Sequence, residues 1–115
     1  MRFTVCQINK DRATEKAAMD ARILGEVDPV FFLSAYEEVA AIEADTLDEV
    51  FEIGNIGPES KIERFSYADK NMHSISVGDV IRNDKYECYV VAPCGFERLG
   101  MTSTNGRQWF AEEIA

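Results

Sequence analysis

The residues able to do chemistry in this chain are few. They are one histidine, His73, three cysteines, Cys6, Cys88 and Cys94, and an acidic run in which Asp45, Asp48, Glu49 and Glu52 recur at helical spacing. Residues three and four apart meet on a helix, so a carboxylate pair for general acid–base work can be drawn from that run. Such work also requires a cavity and unlike surroundings that separate the two proton affinities. Spacing supplies neither, and the ordinary reading of an acidic helix face is a solvated or partner-binding surface. Cys94, in the sequence APCG, stands beside a turn in the manner of a nucleophile, and folding could bring His73 near it as a base. The local sequence has no base, orienting carboxylate or oxyanion loop, which favours a structural thiol. A structural zinc ion would consume His73 and all three cysteines, none of them at zinc-motif spacing. The sequence also lacks a calcium loop, a nucleophile elbow, a dinucleotide fingerprint and a phosphate-loop lysine. No catalytic residue, metal or cofactor is expected.

The chain has 115 residues, 46% of them hydrophobic, with 21 acidic and 12 basic side chains and a formal charge of -9. Its length suits a single compact domain over residues 1–115, and its apolar content argues against wholesale disorder. The negative balance disfavours direct binding to nucleic acid or to an anionic membrane. No stretch approaches the roughly 18 apolar residues of a membrane span, and the start MRFTVCQINKDR lacks the pattern of a secretory signal. Three cysteines without a CxxC pair point to thiols in a reducing compartment, so a cytoplasmic protein is expected.

The charge is unevenly placed. Residues 1–60 carry a net -8 and residues 61–115 a net -1. Between Arg22 and Lys61 there are ten acids and no Lys or Arg. That interval is rich in Val, Ile, Phe and Leu, so its charges decorate structured elements.

The elements that must position these groups follow from pattern. Arg2–Ile8 reads as a strand, and Asp11 as the cap of a helix running to about Leu24, with Ala13, Ala17, Ala21 and Leu24 as its apolar stripe and Gly25 as its stop. Asp28-Pro29 marks a turn before the apolar run Val30–Leu33, and Tyr36–Ala44 fits either a strand or a helix, its imperfect period of two favouring the strand. Thr46-Leu47-Asp48-Glu49 forms a capping box opening a helix from Leu47 to Ile53, ended by Gly54 and Gly57-Pro58. Strands are expected over Lys61–Tyr67, Ile75–Val77, Val80–Arg82 and Tyr86–Ala92, with turns at Gly78-Asp79, at 83–85 and at 93–95. Asn105-Gly106 suits a two-residue hairpin turn between Met101–Thr104 and Arg107–Phe110. An α+β fold results, a small, twisted, mainly antiparallel sheet covered by about two helices, with most of the strands in the second half.

Arg82, Lys85, Tyr86 and Tyr89 interleave bases with aromatic rings, and Arg98, Arg107 and Trp109 follow in the same half. They make a candidate stacking platform. The simpler reading has Phe65, Tyr67, Tyr86, Val90 and Phe96 closing a small core, because seven bases among eight acids make no phosphate track.

The segments FTVCQI, YEEVAAIEADTLDEVFEIGN and HSISVGDVIRNDKYECYVVAPCGFERL resemble the YodL-like domains found in bacterial and mobile-element proteins, over just over half of the chain. HSISVGDVI is similar to the family's Ser-x-Gly-Asp hairpin region, here Ser76, Gly78 and Asp79, and GFERL to its Gly-Phe element, here Gly95 and Phe96. His73 stands where similar sequences would carry a basic residue. The resemblance implies an α+β fold and brings no enzyme mechanism. In that context the expected function is non-enzymatic: an acidic accessory protein that binds and inhibits a host nucleic-acid-handling or defence protein. Its partner would be a basic host surface, reached by imitating a duplex with its one negative charge per about 1.7 Å. Glu37, Glu38, Glu43, Asp45, Asp48, Glu49 and Glu52 are the expected contacts. The alternative is a structural or regulatory module of a larger bacterial or phage assembly.

Overall fold

Arg2–Ile8 forms the first strand, β1, and draws its neighbours from distant parts of the chain. The computed structural model describes residues 1–69, 71–103 and 109–110. On one side of β1 lies β2 (Tyr36–Glu43), followed by β3 (Ile62–Arg64). On the other side lie β4 (Val80–Arg82), β5 (Glu87–Val91), β6 (Phe96–Thr102) and β7 (Trp109–Phe110). Every pairing is antiparallel. Among the described residues three α-helices accompany the sheet: α1 (Lys16–Leu24), α2 (Pro29–Ala35) and α3 (Leu47–Ile56). The twisted, mainly antiparallel α+β domain forms as its pattern predicts, with one more helix than expected. Two of its three longest strands, β1 and β2, come from the first half of the chain.

From Val5 to Ile8, β1 is buried on both faces. Phe3 and Val5 pack with Val39, Ile42 and Ile81 beneath Val50 and Ile53 of α3. Cys6 turns to the other face with Val80, Cys88 and Val90 beneath Phe32 of α2, and Ile8 joins Ala18 and Ala21 of α1. A strand with no solvent face shows no clean polar alternation, which accounts for the irregular pattern of its sequence. Its pairing with β2 also shifts: Val5 faces Ala40 but Cys6 faces Glu38, so Val39 is the extra residue of a bulge.

Several local expectations are corrected. Asp11 does not cap α1. Asn9 accepts from the Asp11 amide at 2.9 Å and opens a 3-10 turn over Lys10–Arg12, while α1 starts at Lys16 behind Glu15, whose carboxylate is held by Arg12. Ala18 and Ala21 are its buried residues, whereas Leu24 is exposed. The run after Asp28-Pro29 is helix α2. The Asp28 carboxylate accepts from the Val30 amide at 2.7 Å, and proline at the first position loses no helical hydrogen bond. Gly54 does not stop α3; it lies inside the helix, where a Cβ would stand 2.3 Å from Ile75 Cδ1. A glycine costs a helix about 1 kcal/mol relative to alanine. Here it lets Ile75 approach closely. Ile75–Val77 is accordingly no strand, β3 ends at Arg64 rather than Tyr67, and β6 begins at Phe96. The Asn105-Gly106 turn lies outside the described residues, although the strands flanking it pair, with Thr102 opposite Trp109.

Gly78 is the tightest joint between helix and sheet. Its φ is 93°, and a Cβ there would lie 2.6 Å from the Ala21 carbonyl oxygen of α1. Its amide donates to the Val91 carbonyl oxygen at 2.9 Å. Gly78→Ala combines a left-handed backbone with a clash against main chain. It is expected to lower unfolding free energy by roughly 2 kcal/mol or more in urea titration, and an unchanged midpoint would refute this account of the joint.

Candidate functional site

The seven acids singled out in the sequence are spread over separate surfaces. Glu37 to Glu43 lie along one strand, so its ends are about 20 Å apart at the usual strand rise. Glu38 is bound by Arg82 Nη2, which reaches both carboxylate oxygens at 3.0 and 3.2 Å. Glu37, its neighbour, is half-buried opposite Gln7, and Glu43 holds the chain's amino terminus at 2.8 Å. The remaining four gather at the start of α3. Thr46 Oγ1 accepts from the Glu49 amide at 3.1 Å, as a capping box requires, but Glu49 Oε2 accepts from Asp45 N at 3.4 Å instead of from the cap residue. Glu49 Oε1 also lies 3.8 Å from Lys61 Nζ. Asp45, Asp48 and Glu52 are exposed and meet no cation in an ion pair among the described residues.

Asp48, Phe51, Glu52 and Asn55 recur at three- and four-residue spacing and share the outer face of α3. Phe51 is 39% exposed and Ile56, at the end of the helix, 83%. Beside them runs a shallow groove of about 430 Å³, lined by Thr46, Asp48, Glu49, Glu52, Ile53, Gly57, Pro58 and Lys61. The face is thus mixed, with acids around apolar side chains.

The histidine serves the fold. Gln7, fully buried in β1, donates from Nε2 to the His73 carbonyl oxygen and to Asp79 Oδ2, each at 3.0 Å, and its Oε1 accepts from the His73 amide at 3.1 Å. His73 Nδ1 is 2.6 Å from the Ser74 carbonyl oxygen and 3.1 Å from Gln7 Nε2. Asp79 also receives the Ser76 amide at 3.0 Å. The Tyr36 hydroxyl donates to the Gly78 carbonyl, and burial pushes its phenol well above the usual range, which keeps the proton in place. Ser76, Gly78 and Asp79 are therefore a turn that docks α1 and β2 onto the sheet. Gln7 carried the one sequence signal of this network, a lone amide in an apolar strand.

The thiols divide. Burial pushes Cys6 far up and Cys88 up to about 11, although Arg82 pulls both the other way. Cys94 is exposed in the turn between β5 and β6 and makes no hydrogen bond with His73. No group of three metal-ligating side chains occurs among the described residues.

A cleft is what sequence reasoning missed. By the two-residue strand period, the face of β1 that carries Ile8 and Cys6 continues to Thr4 and Arg2. Helices cover the first pair, and the second opens into a cleft of about 300 Å³ with Glu38, Phe65, Tyr67, Arg82, Asn83, Asp84 and Tyr86. Arg82 and Tyr86, two members of the proposed stacking platform, do meet, with the guanidinium 5.6 Å from the ring centroid. Arg98 is committed elsewhere, to Glu87 at 3.3 Å. Phe65, Tyr67 and Tyr86 line this cleft rather than close the core, which Val90 and Phe96 do join.

No family model, curated protein or solved structure matches this chain. No helix among the described residues is long and apolar enough to cross a membrane. The division of the thiols is directly measurable: in the native protein a water-soluble alkylating reagent is expected to modify Cys94 alone, with Cys6 and Cys88 reacting only in denaturant. Rapid native modification of either buried thiol, read by peptide mass spectrometry, would show that the packing around α2 is wrong.

Proposed function

We propose that the protein is a non-enzymatic binding module, YodL-like in kind, whose α3 face engages a basic surface on a host nucleic-acid-handling or defence protein and blocks it. The observation that carries this reading is the combination of Asp48 and Glu52 on α3 and Asp45 just before its cap, unneutralised, with exposed Phe51 and Ile56. Solubility needs the acids but not the apolar groups. A protein interface uses both, the acids steering encounter and the apolar side chains supplying desolvated contact. Glu37, Glu38 and Glu43 are demoted from direct contact to background field, because Glu38 and Glu43 already hold cations and Glu37 is half-buried on β2.

The exposed apolar pair also favours a second reading, an assembly module held mainly by hydrophobic contact. Capture from bacterial extract with wild-type protein, repeated at rising salt, separates the two. Asp48→Lys with Glu52→Lys is expected to weaken the complex by about tenfold or more at low salt and to flatten its salt dependence. Phe51→Ser with Ile56→Ser is expected to weaken it at all salt concentrations. Loss only with the second pair selects the assembly module, and displacement of nucleic acid from the captured protein is the sign of blockade. A complex indifferent to both pairs removes α3 from consideration.

A further inference from the structure

The cleft between β1, β4 and the residues after β3 is a second feature, independent of α3. Its floor is Arg82, whose side chain is 10% exposed. Only Nη2 of that guanidinium is hydrogen-bonded among the described residues, to Glu38. The one buried side-chain polar atom without a partner among those residues is Thr102 Oγ1. Arg82 Nε and Nη1 therefore keep access to solvent while most of the side chain is enclosed, and Arg82 borders the cleft. These two donors lie on opposite edges of the guanidinium, so each offers a single hydrogen bond to an acceptor.

The walls are aromatic. Phe65 and Tyr67 stack at 5.2 Å between centroids and 14° between planes, and Tyr67 remains 73% exposed. Tyr86, over Arg82, has a φ of 64°, a left-handed backbone that a bulky side chain rarely adopts. Strain of this sort collects where a side chain must be held in one place. The charges decide what kind of ring enters. Arg82 is balanced by Glu38, Arg2 is paired with Glu63 at 2.9 Å, and Asp84 adds a further carboxylate. There is no surplus positive charge for a phosphate.

We infer that this cleft binds a neutral purine base with a carbonyl acceptor, of the guanine type, by stacking on Tyr67 and by hydrogen bonds from Arg82. A single guanidinium donor suits the O6 carbonyl of guanine, where adenine presents an amino group, and base–aromatic stacking adds affinity without needing charge. Asp84 lines the same cleft and supplies an acceptor for ring N–H groups. The base arrives either in a free nucleoside or within a single strand. Both share the same ring chemistry.

The test is titration of the full chain, by calorimetry or amide NMR shifts, with guanosine, guanosine monophosphate, adenosine and a short guanine-containing single strand. Guanosine is expected to bind at about millimolar or better, adenosine more weakly, and the monophosphate no more tightly than the nucleoside. A strand that binds as guanosine does, or more tightly through the same residues, identifies the single strand as the source. Tyr67→Ala, at an exposed position that leaves the core intact, is expected to weaken guanosine by about tenfold. Arg82→Lys keeps the pair with Glu38 but removes the guanidinium donors that this pair leaves open, and should erase the preference for guanosine over adenosine. Asp48→Lys with Glu52→Lys should leave these titrations unchanged, so failure here and failure of the α3 interface are distinguishable. No binding by guanosine, affinity dependent on the phosphate, or indifference to Tyr67→Ala overturns the inference.

Discussion

The fold turns on a buried amide. Gln7 sits in the part of β1 that is closed off from water on both faces, where an unmet amide costs about 1–3 kcal/mol. Its donors and acceptor are met by His73 and Asp79, so the segment before β4 has one way to lie against β1. Asp79 needs Gln7 for the same reason, being buried itself. Once that segment is fixed, Gly78 can press against α1, Tyr36 can donate to its carbonyl, and Ile75 can fill the space opposite Gly54 of α3. One polar contact thus sets the register in which apolar surfaces on both sides of the sheet meet.

Much of this was legible in sequence where the signal was local. Gly25 after an alanine-rich helix, Thr46 three residues before Glu49 and the strand pattern of Tyr36–Glu43 each act through nearby backbone, and each is found. The misreadings share a cause. Gly54 resembles a helix stop unless Ile75, distant in sequence, is known to pack on it. Asp11 resembles a cap unless Asn9 has already turned the chain. Ile75–Val77 is apolar enough for a strand, but its backbone serves the turn that binds Asp79.

The candidate surfaces divide along the same line. The acids of α3 were visible because they are consecutive and helical. The cleft was not, because Arg2, Glu38, Tyr67 and Arg82 are brought together by four different parts of the chain. Nor does the net charge locate function: Glu38 and Glu43 count toward -9 yet each holds a cation, while Asp48 and Glu52 contribute the same formal charge to open solvent.

The position of β1 in the sheet also dictates an order of events during synthesis. Its first neighbour, β2, follows within about forty residues, but its second, β4, is some seventy-five residues away, and Gln7 waits 72 residues for Asp79. Such separations carry a large loop-closure entropy and slow the search for the native pairing. A nascent chain emerging from the ribosome holds β1 and β2 with one edge unpaired until residue 82 has cleared the exit tunnel, and the early acidic interval keeps that half-made sheet charged and apart from its neighbours during the delay.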